Sequence, residues 1–145
     1  MAEDAGLTEV ISVGEMSSHE IMCRATAGVV ASGTATLEAA CLSLPYCLTY
    51  KVAWLTAQVA RRVMSVNYLG IVNVIADREV VRELLQDQAN GRALAAELER
   101  LLSSAGERAA LQRELADVVA RLGEGGAHLR AARAVLSAWD VTTTE

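Results

Sequence analysis

Apolar residues follow two different rhythms along this chain, and the change falls near residue 78. Before it, short β-branched runs alternate with helical spacing. Residues 10–13, VISV, predict a strand that Gly14 breaks. Ser17 or Ser18 is placed to cap a helix through Glu20, Ile21, Met22 and Ala25, with Gly28 ending it. Residues 29–31 predict a second strand and residues 34–42 an alanine-rich helix. Pro45 marks the turn into a third strand over 46–51. Trp54, Leu55, Val59 and Val63 share one side of a helix over 54–64, and residues 68–72 read as a fourth strand.

Beyond residue 78 the pattern is helical throughout. Residues 79–86 read as one short helix, and Asn90-Gly91 punctuates. Leu94, Leu98, Leu101 and Leu102 make one amphipathic helix, and Leu111, Leu115, Val118, Val119 and Leu122 the next. Gly123, Gly125 and Gly126 set off a last helix with Leu129, Ala132, Val135, Leu136 and Trp139. Residues 141–145 read as a frayed tail. Strands alternating with helices imply an α/β fold: a three-layer domain on a short parallel sheet of about four strands, with a C-terminal helical segment. The expected division is a core over 1–78, helices over 79–140 packing on the same domain, and the tail.

Composition narrows this picture. Hydrophobic residues make up 52% of the 145, which excludes a globally disordered chain. Aromatics are only 3% and Phe is absent, so the core must be aliphatic, as suits parallel strands under helices. The net charge of −5 argues against nucleic acid as a partner. Residues 1–50 hold six acids and one base, whereas residues 51–88 hold five bases and four acids. Contacts to phosphates are therefore sought in the second stretch. Cys23, Cys41 and Cys47 are odd in number and lack metal-ligand spacing to His19 or His128, so free thiols are expected and no metal. The acidic start lacks the basic and apolar regions of a signal peptide, and no apolar run reaches the ~18 residues of a membrane span. The expectation is a cytoplasmic chain.

Four places carry candidate chemistry. Ser32-Gly33-Thr34 joins a strand to a helix, at the end of a parallel sheet where ligands bind. The first amides of that helix lack internal partners and carry partial positive charge. Gly33 permits close approach of a phosphate, and the Ser32 and Thr34 hydroxyls can donate to it. A capped helix with Ser32 as N-cap and no ligand fits the same residues. Glu38 lies one helical turn after Thr34, placed for a ribose diol or simply exposed to solvent. Asn73 and the Asp77-Arg78-Glu79 turn offer donors, acceptors and a guanidinium fork; a capped loop and a solvated ion pair are the plain alternatives. Lys51, Arg61 and Arg62 flank an apolar helix that could rest on an anionic bilayer or form an ordinary solvent face. The many arginines beyond residue 90 have matching acids and read as solvated scaffold.

Taken in order, SGTATLE, then PYCLTYK, then NVIADRE, and helices closing with GEGGAHLRAARAVLSAW, resemble the C-terminal half of the lipid-A-disaccharide synthases. The resemblance covers about residues 8–139. It implies half of a GT-B fold, two Rossmann-like domains in all, and an inverting glycosyltransferase. That reaction moves a 2,3-diacylglucosamine from UDP to 2,3-diacylglucosamine 1-phosphate in lipid A biosynthesis. By the same resemblance Ser32, Gly33 and Thr34 cradle the UDP diphosphate and Glu38 faces the ribose. Asn73, Arg78 and Glu79 shape the donor pocket, with Asn73 the best candidate for a directly required group. No cofactor is implied beyond the UDP-sugar substrate. The acceptor and the catalytic base are expected in the N-terminal half, so no catalytic residue is assigned in this chain. Peripheral contact with the inner membrane and a homodimer formed by helix exchange are further expectations. Two alternatives stand beside this: the donor half of another UDP-sugar transferase, and a non-catalytic helical interaction remnant. Asp77 departs from the family pattern, which often has Gly there, and Asp takes positive φ less cheaply. Val72 and Arg82 stand where the family often has Pro.

Overall fold

A computed structural model describes residues 16–51, 68–123 and 125–142. The strand expected over 10–13, the helix over 54–64 with Arg61 and Arg62, and the end of the tail lie outside these residues. The elements in order are α1 (Ser18–Arg24), β1 (Gly28–Ala31), α2 (Thr34–Cys41), β2 (Tyr46–Tyr50), α3 (Ile71–Ala76) and β3 (Glu83–Leu85). A 3-10 turn (Gln86–Gln88) leads to α4 (Gly91–Ser103), α5 (Ala105–Ala120) and α6 (Ala127–Thr142). The three strands form one sheet in the order β1-β2-β3, parallel throughout.

The central strand explains the layering. Tyr46, Cys47 and Leu48 are fully buried, as a parallel strand covered on both faces requires. Side chains alternate along it. The Tyr46 hydroxyl donates to the Thr36 carbonyl on α2 at 2.9 Å, and Leu48 packs under Gly70 just before α3. Cys47 points the other way, where burial chiefly, with Glu97 of α4 adding to it, pushes its thiol pKa up. Helices therefore cover both faces. Burial raises the Tyr46 hydroxyl pKa strongly; the bond to Thr36 opposes this and the Glu83 charge adds to it. The aliphatic core runs from Val30 and Leu48 through Val72 and Val81 to Leu101 and Leu115.

Caps set the helix ends. Ser17 and Glu20 form a reciprocal capping box that starts α1. After α2, the Ser43 amide donates to Ala40 and the Leu44 amide to Ala39, with Ser43 left-handed at φ 55°, a Schellman ending. The Asn90 side chain accepts from the Ala93 amide to start α4, and Ser104 both ends α4 and caps α5. α5 grips two other helix ends: Gln112 donates to the Ser43 carbonyl at 3.0 Å and Arg121 to the Ile75 carbonyl at 3.3 Å. α6 takes up residues 141 and 142, read as tail. It leaves Leu129, Val135 and Leu136 more than half exposed.

Two elements differ from expectation. Residues 68–72, read as a strand, instead lead into α3, and residues 79–86, read as a helix, contain β3. β3 adds a strand to the sheet from beyond residue 78. Both segments are short apolar runs whose pattern fits either state. A long-range contact decides between them: the Glu83 carboxylate accepts the Leu69 amide at 3.0 Å and the Gly70 amide at 2.9 Å, fixing the start of α3. The same residue places its backbone opposite Leu48, so β3 satisfies the second edge of β2.

Candidate functional site

The turn after β1 is open. The Ser32 amide continues the ladder to the Thr49 carbonyl at 3.1 Å, and the chain then swings at Gly33 to φ 147°, ψ −164°. That region is essentially restricted to glycine. Gly33, not Ser32, is the N-cap, and no side chain caps α2. Thr36 turns inward, its hydroxyl donating to the Gly33 carbonyl at 2.7 Å. The Thr34 and Ala35 amides, which have no intrahelical partner, thus open α2 bare. Among the described residues, a Cβ built on Gly33 would meet nothing within 4 Å. Glu38 is exposed one turn along α2, and its carboxylate makes no hydrogen bond or ion pair among the described residues.

The sheet register brings two more residues to this edge. Ala31 pairs with Thr49 and Tyr50 with Leu85, so Lys51 follows the strand end next to the Ser32-Gly33-Thr34 turn and Gln86 the strand end one further along. Lys51 is exposed and forms no ion pair among the described residues. From sequence it stood at the end of the PYCLTYK motif and beside Arg61 and Arg62, with no link to the Ser32-Gly33-Thr34 turn. The register, which periodicity does not reveal, is what puts it here.

Asn73, Arg78 and Glu79 form a separate cluster. Asn73 is fully buried within α3. Its carbonyl oxygen accepts the Val80 and Val81 amides at 2.8 and 2.9 Å. Its amide nitrogen donates to the Val81 carbonyl and to the Glu83 carboxylate, both at 2.8 Å. A carboxamide has two acceptor and two donor positions, and all are used. Asn73, expected to shape the donor pocket, has all of these positions engaged within the protein. Glu83, nine-tenths buried, holds three donors in this knot and was not singled out from sequence. Its neighbours offered one signal, a lone carboxylate inside an apolar run. Gly70 is needed here, because a Cβ would stand 2.9 Å from Leu48 and 3.1 Å from the Glu83 carboxylate.

Arg78 pairs with Glu114 of α5 at 2.5 Å, and the Glu79 carboxylate accepts the Glu83 amide at 3.2 Å. Asp77 ends α3 in the left-handed region at φ 54°, the geometry that glycine would supply more cheaply. No hydrogen bond joins this cluster to the Ser32-Gly33-Thr34 turn among the described residues. Among them, no group of three or more His, Cys, Asp or Glu is placed to hold a metal ion, and no helix is long and apolar enough to cross a membrane.

A small parallel sheet flanked by helices, with a bare helix start at its C-terminal edge, defines a Rossmann-like half-domain. The particular lineage follows from comparison with known proteins. A family model described as lipid-A-disaccharide synthetase matches residues 3–137. The chain is 42% identical over 119 residues to a lipid-A-disaccharide synthase of Anaeromyxobacter dehalogenans, covering 82% of this chain and 31% of that protein. It is 39% identical over 127 residues to the synthase of Trichlorobacter lovleyi, covering 88% and 33%. With the synthase of Myxococcus xanthus it shares 37% over 134 residues, covering 92% and 34%. The chain belongs to the lipid-A-disaccharide synthase family, and it spans about a third of the length of these relatives.

Proposed function

We propose that this chain is the donor-binding portion of a lipid-A-disaccharide synthase, a GT-B glycosyltransferase. It holds the UDP of a UDP-2,3-diacylglucosamine whose sugar passes, with inversion, to 2,3-diacylglucosamine 1-phosphate. The observation that carries this reading is the uncapped start of α2 behind Gly33, at the sheet edge where the family motif begins. The Thr34 and Ala35 amides and the Ser32 and Thr34 hydroxyls receive the diphosphate, and Lys51 lies beside them. As the bond from sugar to β-phosphate breaks, negative charge grows on the UDP. Fixed amide dipoles stabilise that charge without reorganising. Glu38, unengaged by protein, accepts the ribose hydroxyls.

Asn73, Arg78 and Glu79 serve this site indirectly. Asn73 and Glu79 fix α3 and β3 through Glu83, and Arg78 ties the following turn to α5. The acceptor and the base that deprotonates its hydroxyl belong to the portion of the relatives that this chain does not match. The residues of this chain therefore account for holding the donor, and not for deprotonating the acceptor. The exposed Leu129, Val135 and Leu136 of α6 support helix exchange between two copies, and a peripheral position on the inner membrane fits the lipid substrates.

The test is a thermal-shift and calorimetric titration with UDP. UDP at 100-fold above its dissociation constant raises stability by about 2.7 kcal/mol. Glu38→Ala leaves the unliganded protein within about 0.5 kcal/mol of the parent, as an exposed substitution should, while most of the UDP-induced gain disappears. No shift at millimolar UDP overturns the reading.

A further inference from the structure

Three described non-glycine residues have positive φ: Ser43, Asp77 and Gln86. Two have a local reason. Ser43 closes the Schellman ending of α2, and Asp77 is the C-cap of α3. Gln86, at φ 51°, follows β3 and opens the 3-10 turn, where its carbonyl accepts the Ala89 amide at 3.1 Å. Glycine or asparagine would adopt it more readily. The Gln86 side chain is half-buried and makes no hydrogen bond among the described residues. Its position is the third strand end of the edge, after Ser32-Gly33 and Lys51. Two strand spacings separate it from Gly33, about 10 Å.

We propose that Gln86 is a specificity-determining residue of the donor site, its carboxamide hydrogen-bonding hydroxyl or amide groups of the hexose carried by UDP. The inference rests on the reading of the α2 start as the diphosphate site. Given that site, Glu38 draws the ribose along α2. The other end of the diphosphate then points across the edge past Lys51 toward β3. Gln86 stands there, with both a donor and an acceptor to offer. The left-handed backbone turns the chain at the strand end into the 3-10 turn.

Calorimetry on the chain with UDP and with UDP-N-acetylglucosamine separates the possibilities. In the parent, the sugar nucleotide binds more tightly than UDP. In Gln86→Gly and in Gln86→Asn, affinity for the sugar nucleotide falls about tenfold while that for UDP stays within twofold. The melting temperature of Gln86→Gly stays level or rises as the left-handed strain is relieved. A purely structural Gln86 gives an unchanged ratio of the two affinities in both variants, which overturns the proposal. Equal affinity of the parent for both ligands overturns it too, while leaving UDP binding standing. If the parent binds neither ligand, the donor-site reading and this inference fall together. Gln86→Asn keeps a short carboxamide and tolerates positive φ, so the comparison survives if the glycine variant folds poorly.

Discussion

Two polar clusters flank α2 and α3, and they are built on opposite plans. At the Ser32-Gly33-Thr34 turn the helix start has no side-chain cap, Glu38 has no partner among the described residues, and a Cβ on Gly33 would meet none of them within 4 Å. At the Asn73–Glu83 knot every donor and acceptor of the carboxamide is matched inside the protein, and glycine is needed because Leu48 and the carboxylate press close. The same family motifs point to both. Their physics differs: unsatisfied groups at a solvent edge are free to exchange water for a ligand, while satisfied buried groups stabilise one conformation. A polar residue in a family motif is thus no sign of ligand contact until its hydrogen bonds are counted.

The comparison breaks most readily at Asn73. Asn73→Ala strands the Val80 and Val81 amides and the Val81 carbonyl, and leaves Glu83 one donor short. We expect a loss of about 3–5 kcal/mol in urea unfolding, from several buried groups at about 1–3 kcal/mol each. UDP affinity measured on the remaining folded protein should stay within a few-fold of the parent. Intact stability combined with lost UDP binding would reverse the assignment and make Asn73 a ligand contact. Gly33→Ala is the next largest. The added methyl group has room, so the loss comes from the backbone alone, about 1–3 kcal/mol. UDP affinity should fall with it, because the amides re-aim. If the variant is as stable as the parent, the turn is not held at the observed angles.

Tyr46→Phe is smaller, about 1 kcal/mol for the lost bond to the Thr36 carbonyl. It also carries a pH signature. Burial holds the Tyr46 pKa above its unfolded value, so the folded state binds this proton more tightly. Its contribution is fully present below a pH of about 10 and is lost as pH rises beyond it. Alkaline unfolding should therefore be shallower in Tyr46→Phe. An identical alkaline limb in both proteins would show that the hydroxyl ionises without unfolding.

The parallel α/β plan was legible in sequence because β1, α2 and β2 are marked locally. Gly28 opens β1 and Pro45 stands just before β2, and the switch from β-branched to alanine-rich residues is abrupt. The helices from Asn90 onward were equally plain, since their leucines recur at helical spacing and Asn90 and Ser104 cap them. α3 and β3 were not legible. Both lie in apolar runs too short to show a period, IVNVIA and ELL, and the residue that decides their states, Glu83, acts on amides 13 and 14 positions away. The turn at Ser32 was readable as a strand-to-helix connection and a candidate site, but which residue capped α2 was not. Ser32 has the chemistry of an N-cap, and only the backbone angles at Gly33 show that it is not used as one. Lys51 and Gln86 became visible with the strand register, which no local pattern encodes.

The grip of α5 on the far ends of α2 and α3 has its own consequence. Gln112 holds the carbonyl where α2 stops, and Arg121 holds the one near the end of α3. Occupying the opposite end of α2 would damp the fraying of that helix, and the damping would reach α5 through its glutamine. Slower amide exchange near Gln112 on adding UDP would then report a ligand that never touches it.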